Sequence, residues 1–309
     1  MGKVKVLVTG GAGFIGSNIS DSLIEEGYEV IVVDDLSTGK EKNINDRARF
    51  YRLDIRDVGL EDVFRRERPD YVSHQAAQMD VRRSVSDPIF DAKVNVLGAI
   101  NVFQNCLKYD VKKVIFASSG GAIYGEQDIF PAPETHPLRP LSPYGITKLV
   151  AEHYLYYYKN VFNLDHVILR YANVYGPRQD PFGEAGVVAI FIQKMLSGEQ
   201  PFINGDGCQT RDFVYVGDVV QANLLAFTSD SSENIFNVGT GLETSINEIF
   251  DHLADIMAPS VKKEFGPPKK GEQRRSVIDS SRAKETLRWG PKVSISEGLK
   301  RTYEYFKTA

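Results

Sequence analysis

Val4-Lys5-Val6-Leu7-Val8-Thr9-Gly10-Gly11-Ala12-Gly13-Phe14-Ile15-Gly16 is the stretch whose reading decides the fold. Val4–Thr9 is an apolar, β-branched run that reads as a buried strand. Gly10, Gly13 and Gly16 follow at three-residue spacing, and Gly11, Gly13 and Gly16 also satisfy G-x-G-x-x-G. Glycine permits a tight turn and a close backbone approach to a pyrophosphate. A helical pattern from Gly13 to Glu26, closed by Gly27, then offers free N–H groups and a positive dipole end at the turn. Tyr28–Asp34 is a second strand, and it ends on an acid. Strand, glycine turn, helix and acid-ended strand together are the context in which this motif means a dinucleotide site.

The same alternation continues outward. Arg49–Ile55, Tyr71–Ala77, Lys113–Ser119 and Asp165–Tyr171 read as strands, with helices near Leu60–Arg66, Asp91–Tyr109 and Tyr144–Phe162. Such alternation predicts βαβ units and a doubly wound parallel sheet, an α/β Rossmann fold. From about Val174 the pattern breaks into Gly-Pro and Asp-Pro turns and shorter elements. Residues 1–172, with about 212–240 returning, are expected to form the dinucleotide-binding domain. Residues 173–211 and 241–309 are expected to form a smaller mixed α/β domain. Phe213–Val216 and Ile235–Val238 are the strands expected to return to the large sheet.

Composition narrows the function. Of 309 residues, 42% are hydrophobic and 25% charged, which excludes intrinsic disorder and collagen-like repeats. A net charge of −4 argues against a nucleic-acid binder, so an anionic ligand must be held by local basic residues. Two cysteines are too few for a disulfide framework. Five histidines lie scattered without ligand spacing, so no metal site is expected. No signal-peptide pattern or membrane-length apolar run is visible, and a cytoplasmic location is expected.

Two further features carry chemistry. Asp34 can accept both ribose hydroxyls of an adenosine and would repel a 2′-phosphate. No arginine follows closely, which favours NAD over NADP. In Ser142-Pro143-Tyr144-Gly145-Ile146-Thr147-Lys148, Ser142 is a natural N-cap and Pro143 suits the first helical position. Tyr144 and Lys148 then share one helix face. A neighbouring ammonium and the helix N-terminus favour a phenolate that can take a proton from a hydroxyl being oxidised.

With these motifs in place, the chain resembles the extended short-chain dehydrogenase/reductase family, and within it the UDP-glucose 4-epimerases, over nearly its whole length. Leu53-Asp54-Ile55, His74-Gln75-Ala76-Ala77-Gln78, Val94-Asn95-Val96-Leu97-Gly98 and Leu169-Arg170-Tyr171-Ala172-Asn173-Val174-Tyr175-Gly176-Pro177 also carry the likeness. The resemblance implies that NAD lies along Gly10, Gly13, Phe14, Ile15, Gly16, Asp34, Asp35, Leu36, Ser37, Gly39, Asp54, Ile55, Gln75, Ala76, Ala77, Gln78 and Asn95, with Tyr144 and Lys148. It implies that the tyrosinate deprotonates the sugar 4-hydroxyl, that hydride leaves C4 and returns to the other face of the keto sugar, and that no net redox occurs. It implies substrate contacts from Ser119, Tyr144, Asn173, Val188, Phe202, Arg211, Lys269, Glu272 and Arg274. It also implies a homodimer in which the Asp91–Tyr109 and Tyr144–Phe162 helices pair with their mates.

The chain departs from relatives in places. Ser119 stands five residues before Tyr124, where many relatives have the catalytic hydroxyl at four, a register that falls here on Gly120. Ser119 is the expected hydroxyl and Ser118 the alternative. Gly120, Gly121 and Ala122 replace the carboxylates that sugar dehydratases and decarboxylases carry, so elimination lacks its acid and base. Met79 stands where some epimerases have lysine. Ser276 is small where a bulky relative narrows the sugar pocket, which predicts room for UDP-N-acetylhexosamines beside UDP-glucose and UDP-galactose. Another nucleotide-sugar epimerase or reductase, or a non-catalytic NAD-binding regulator, are the rival readings.

Overall fold

The computed structural model describes residues 3–182, 186–257, 261–268 and 273–308. Its strands are β1 (Lys5–Thr9), β2 (Glu29–Asp34), β3 (Arg49–Arg52), β4 (Tyr71–His74), β5 (Lys113–Ser119), β6 (His166–Tyr171), β7 (Asn173–Tyr175), β8 (Phe202–Asn204), β9 (Thr210–Arg211), β10 (Phe213–Tyr215), β11 (Ile235–Val238), β12 (Thr244–Ser245) and β13 (Glu264–Gly266). The helices include α1 (Phe14–Glu25), α2 (Leu60–Glu67), α3 (Val81–Ser86), α4 (Pro88–Ala92), α5 (Ala99–Lys108), α6 (Gly120–Ile123), α7 (Pro143–Phe162), α8 (Val187–Leu196), α9 (Val216–Thr228), α10 (Ile246–Met257), α11 (Ser281–Leu287) and α12 (Ile295–Thr308).

Seven strands form one sheet in the order β11-β6-β5-β4-β1-β2-β3, and every pairing in it is parallel. A parallel sheet covered on both faces has strands that are apolar on both sides, as β1 and β5 are. One face packs under α1, α9 and α11 through Ile19, Leu23, Val219 and Leu287; the other packs under α2, α5 and α7 through Phe64, Phe103 and Leu155. Strand order reverses between β1 and β4, and the crevice beyond the carboxyl ends there is where such sheets bind ligands. A separate apolar cluster joins α8, α10 and α12 through Phe191, Phe250 and Leu299, over Tyr175 and Phe213.

Three expectations are corrected. Phe213–Val216 does not return to the large sheet. Its strand, β10, pairs with β7 in a two-stranded sheet, because β11 already occupies the open edge of β6. Ile235–Val238 does return, as β11. The third strand stops at Arg52 rather than Ile55, whose side chain turns inward and lies 2.6 Å from where a Cβ on Gly98 would sit. The helix expected over Asp91–Tyr109 starts earlier, at Pro88, and loosens into a π-helical stretch at Lys93–Gly98 before α5. Asn95, inside that stretch, exchanges hydrogen bonds with the Gln78 backbone on both its amide groups at 2.8 Å, which draws the helix toward the end of β4. Such stretches are frequent at functional sites.

Candidate active site

The glycine turn is built by close approach. Gly10 has a φ of 69°, and a Cβ there would lie 2.7 Å from the Ala76 nitrogen, so only glycine lets the first turn lean on the end of β4. A Cβ on Gly16 would lie 2.2 Å from the Gly10 carbonyl oxygen, so α1 starts directly against the turn. No side chain caps α1, which leaves its first N–H groups to an anion. The side chain of Phe14 is buried in the core and that of Ile15 packs against it, so these two offer a ligand their backbone.

Asp34 closes β2 with 7% of its surface exposed. Its Oδ2 accepts from Ala12 N at 3.0 Å and its Oδ1 from Leu36 N at 2.8 Å, which aims the carboxylate along the turn with lone pairs to spare. Burial pushes this carboxyl up from its ordinary range while the two backbone bonds pull it down. Gly39 lies over it, where a Cβ would come within 2.6 Å of Oδ1. Asp35 is exposed and holds the Ser37 N–H and hydroxyl. Asp54 is engaged by Arg56 at 2.5 Å, and that guanidinium holds its carboxyl below the usual range. Gln75 Oε1 is a buried acceptor with no hydrogen-bond partner among the described residues. Gln78 and Asn95 are tied to each other, and Ala76 N donates to Thr9 Oγ1 at 3.2 Å. An uncapped helix start, an acid at the strand end and an orphaned acceptor fit an adenine dinucleotide such as NAD.

The Tyr144–Lys148 helix is set as its sequence directs. Ser142 Oγ accepts from Gly145 N at 3.1 Å and Pro143 opens the first turn of α7. Gly145 lets that turn press on α6, for a Cβ there would lie 2.6 Å from the Ala122 carbonyl oxygen. Ser119 ends β5 immediately before α6, two residues past the Ala117 carbonyl that Lys148 reaches, and Tyr144 stands one turn before Lys148 on α7. Lys148 is buried, its Nζ donating to the Ala117 carbonyl at 2.9 Å and lying 5.9 Å from the centre of the Tyr144 ring. Loss of water pulls the Lys148 ammonium down to about 8, against the attraction of Asp91 and Glu152. Ser118 points the other way, donating to buried Glu152 at 2.5 Å. Gly120 and Gly121 form a helical turn, and a Cβ on Gly120 would meet Ile278 at 2.9 Å.

Beyond these residues lies a cleft of ≈ 130 Å³ that brings together Asn173, Val188, Phe202 and Arg211, four of the residues expected to hold substrate. Asn173 and Phe202 are exposed in it, whereas Val188 is buried. Arg211 stands next to Asp212, which is fixed by the Thr240 and Gly241 N–H groups at 2.8 and 3.1 Å. Arg274 lies in the adjoining opening and makes a forked ion pair to Asp206 at 2.7 and 2.9 Å. Lys269 and Glu272 fall outside the described residues. Sequence reasoning missed Gln179 and Gln209, which also line the cleft. Gln179 stands six residues after Asn173, past the Gly176-Pro177 turn, and that proximity was its only signal.

The geometry has close counterparts. The model of the NAD dependent epimerase/dehydratase family matches residues 6–239. A UDP-glucose 4-epimerase from Thermotoga maritima, solved with UDP-glucose, is 53% identical, with a TM-score of 0.96 and coverage of 98% of this chain and 99% of that one. A UDP-glucose 4-epimerase from Thermus thermophilus, solved with NAD, is 46% identical, with a TM-score of 0.94 and coverage of 99% and 100%. A UDP-glucose 4-epimerase from Mycolicibacterium smegmatis is 44% identical over 309 residues, 98% of this chain and 99% of its own. On its glycine turn, its Tyr144–Lys148 helix and these full-length likenesses, the chain belongs to the NAD dependent epimerase/dehydratase family.

Proposed function

We propose that this chain interconverts UDP-glucose and UDP-galactose by transient oxidation at C4 of the sugar. The observation that supports the reading is that Lys148, one turn after Tyr144 on α7, docks on the Ala117 carbonyl two residues before Ser119, while Asn173 of the cleft lies 3.6 Å from where a Cβ on the nearby Gly121 would sit. Bound NAD supplies a hydride acceptor that becomes the donor for the return, so the reaction has no net redox. Tyr144 takes the proton of the sugar 4-hydroxyl and gives it back after the keto sugar has presented its other face. Lys148 stabilises the phenolate by its charge, and its place on the carbonyl of Ala117 keeps it next to the ring. Ser119 bridges the 4-hydroxyl and Tyr144. Asn173 and Arg211 hold the diphosphate, and Phe202 and Val188 flank the base.

The smaller domain of 173–211 and 241–309 serves the nucleotide sugar, and the rest serves NAD. Ile146, Tyr157 and Val161 form an exposed apolar stripe on α7, and Leu97 is exposed on the π-helical stretch Lys93–Gly98 that leads into α5. Pairing of these helices with a second copy covers them and makes a homodimer, which Tyr157→Glu with Val161→Glu should reduce to monomer in sedimentation. No described helix is long and apolar enough to cross a membrane; we place the enzyme in the cytoplasm, in galactose metabolism. The deciding experiment is incubation with UDP-galactose and no added NAD, reading UDP-glucose. Absence of conversion with NAD still bound sinks the reading in favour of a different sugar nucleotide or a regulator.

A further inference from the structure

We infer that Asp91 is a positioning residue for Lys148: its buried carboxylate is the counter-charge that keeps the Lys148 ammonium protonated. The inference rests on the roles of Tyr144 and Lys148 proposed above. Asp91 has no exposed surface although it sits on a helix of a single turn, α4. Its Oδ1 accepts from Gln78 Nε2 at 2.9 Å and Asn95 Nδ2 at 3.1 Å, and its Oδ2 from Thr147 Oγ1 at 2.8 Å. All three donors are neutral, and Asp91 forms no ion pair within 4.0 Å among the described residues. A carboxylate taken wholly out of water calls for a compensating charge.

Lys148 follows Thr147, the residue that Asp91 grips, and attraction to Asp91 strengthens its hold on the proton. The other groups around the ammonium do not replace Asp91. On its own helix, Tyr144 lies one turn before it and Glu152 one turn after. Glu152 is already matched by buried Arg170, at 2.6 and 3.1 Å. From β5 come the Ala117 carbonyl and the Phe116 ring, both uncharged. From β4 comes His74, which burial keeps neutral, its proton affinity down at about 3. Asp91 is therefore the unmatched negative charge of this pocket. By holding Lys148 charged it also holds the phenolate of Tyr144 within reach of neutral pH.

The test compares Asp91→Asn, which removes the charge, with Thr147→Val, which removes a hydrogen bond and leaves the charge. Two readouts are taken on the NAD-loaded protein: the pH profile of kcat/KM, and the NMR titration of 13Cε-labelled lysine, assigned with Lys148→Met. Asp91→Asn should move the Lys148 midpoint and the alkaline limb of the profile to lower pH by about one unit or more. Thr147→Val should leave both in place. Equal midpoints in wild type and Asp91→Asn, or equal shifts in the two variants, overturn the inference and leave Asp91 a structural role. If Asp91→Asn does not fold, Asp91→Ser, which also removes the charge, takes its place, and an unchanged Lys148 midpoint in it overturns the inference. A wild type without epimerase activity overturns the proposed function, while the lysine titration, which needs no turnover, still judges Asp91.

Discussion

Lys148 places its Nζ 2.9 Å from the carbonyl oxygen of Ala117, so a cation on a helix is docked onto the backbone of the neighbouring strand. Desolvation outweighs every attraction it receives, and its proton affinity falls from 10.5 to about 8. A lysine whose folded affinity lies below its unfolded one penalises the fold at pH values under the folded midpoint. The penalty fades as pH rises from about 8 through 10.5. At pH 7 it is roughly 3 kcal/mol, offset by about 1 kcal/mol for the hydrogen bond. Lys148→Met should therefore abolish turnover, and the melting-temperature difference between variant and wild type, both NAD-free, should favour the variant more at pH 7 than at pH 11, since the Asp91 carboxylate left without its counter-charge weighs on the variant at both pH values. A difference that stays the same between pH 7 and pH 11 would refute this account of Lys148.

Tyr144 follows from the same helix. Its ring faces the Lys148 ammonium, and the Ser142 cap sets the turn that carries it. Proton transfer by a positioned side chain contributes roughly 10²–10⁴-fold. Tyr144→Phe should lose turnover on that scale while the purified protein keeps its NAD, read from absorbance after denaturation. A variant with wild-type turnover removes Tyr144 as the base.

Ser118 and Ser119 are adjacent in the chain and opposite in role. Ser118 donates to Glu152 inside a buried cluster that also holds Arg170, Tyr124 and Asn237. Ser118→Ala leaves a buried acceptor short of a donor, which costs about 1–3 kcal/mol. It should lower the melting temperature and spare turnover. Ser119 is half-buried and its side chain makes no capping bond to α6. Ser119→Ala should lower turnover roughly tenfold or more with little change in melting temperature, in line with one lost hydrogen bond to the reacting group. The reverse pattern assigns the hydroxyl to Ser118.

The glycine turn, the strand ending on Asp34 and the capped start of α7 were legible because each is a local rule: a close approach, a strand end, a cap. The pairing of Phe213–Tyr215 was not, since a short apolar strand carries no label for its partner, and the edge of β6 was taken by Ile235–Val238. Asp91 was equally silent. Its sequence neighbours are those of an ordinary helix residue, and only folding brings Gln78, Asn95 and Thr147 onto one carboxylate. Arg274 was legible as a charge but not as a partner of Asp206, because a forked ion pair depends on a turn that folds back over sixty residues away.

Ser276 tests the breadth of the substrate. Its segment runs as a ladder beside the arginine that grips phosphate in the proposed reaction: Thr210 N donates to the Arg274 carbonyl at 3.0 Å and Asp212 N to the Ser276 carbonyl at 2.9 Å. That register sets Ser276 next to Arg211 and fixes its backbone, so a change of side chain alters volume more than path. Ser276 is 3% exposed, so a tyrosine there must claim space from the sugar side or disturb the core. With a residue as small as serine at position 276, wild type should accept UDP-N-acetylglucosamine as well as UDP-galactose. Ser276→Tyr should cut kcat/KM for the N-acetylated sugar at least about tenfold, some 1.4 kcal/mol, and spare UDP-galactose. A thermal melt separates this from core damage, which would lower both activities together. Equal ratios of the two substrates in wild type and variant show that residue 276 does not set the room at the 2-position.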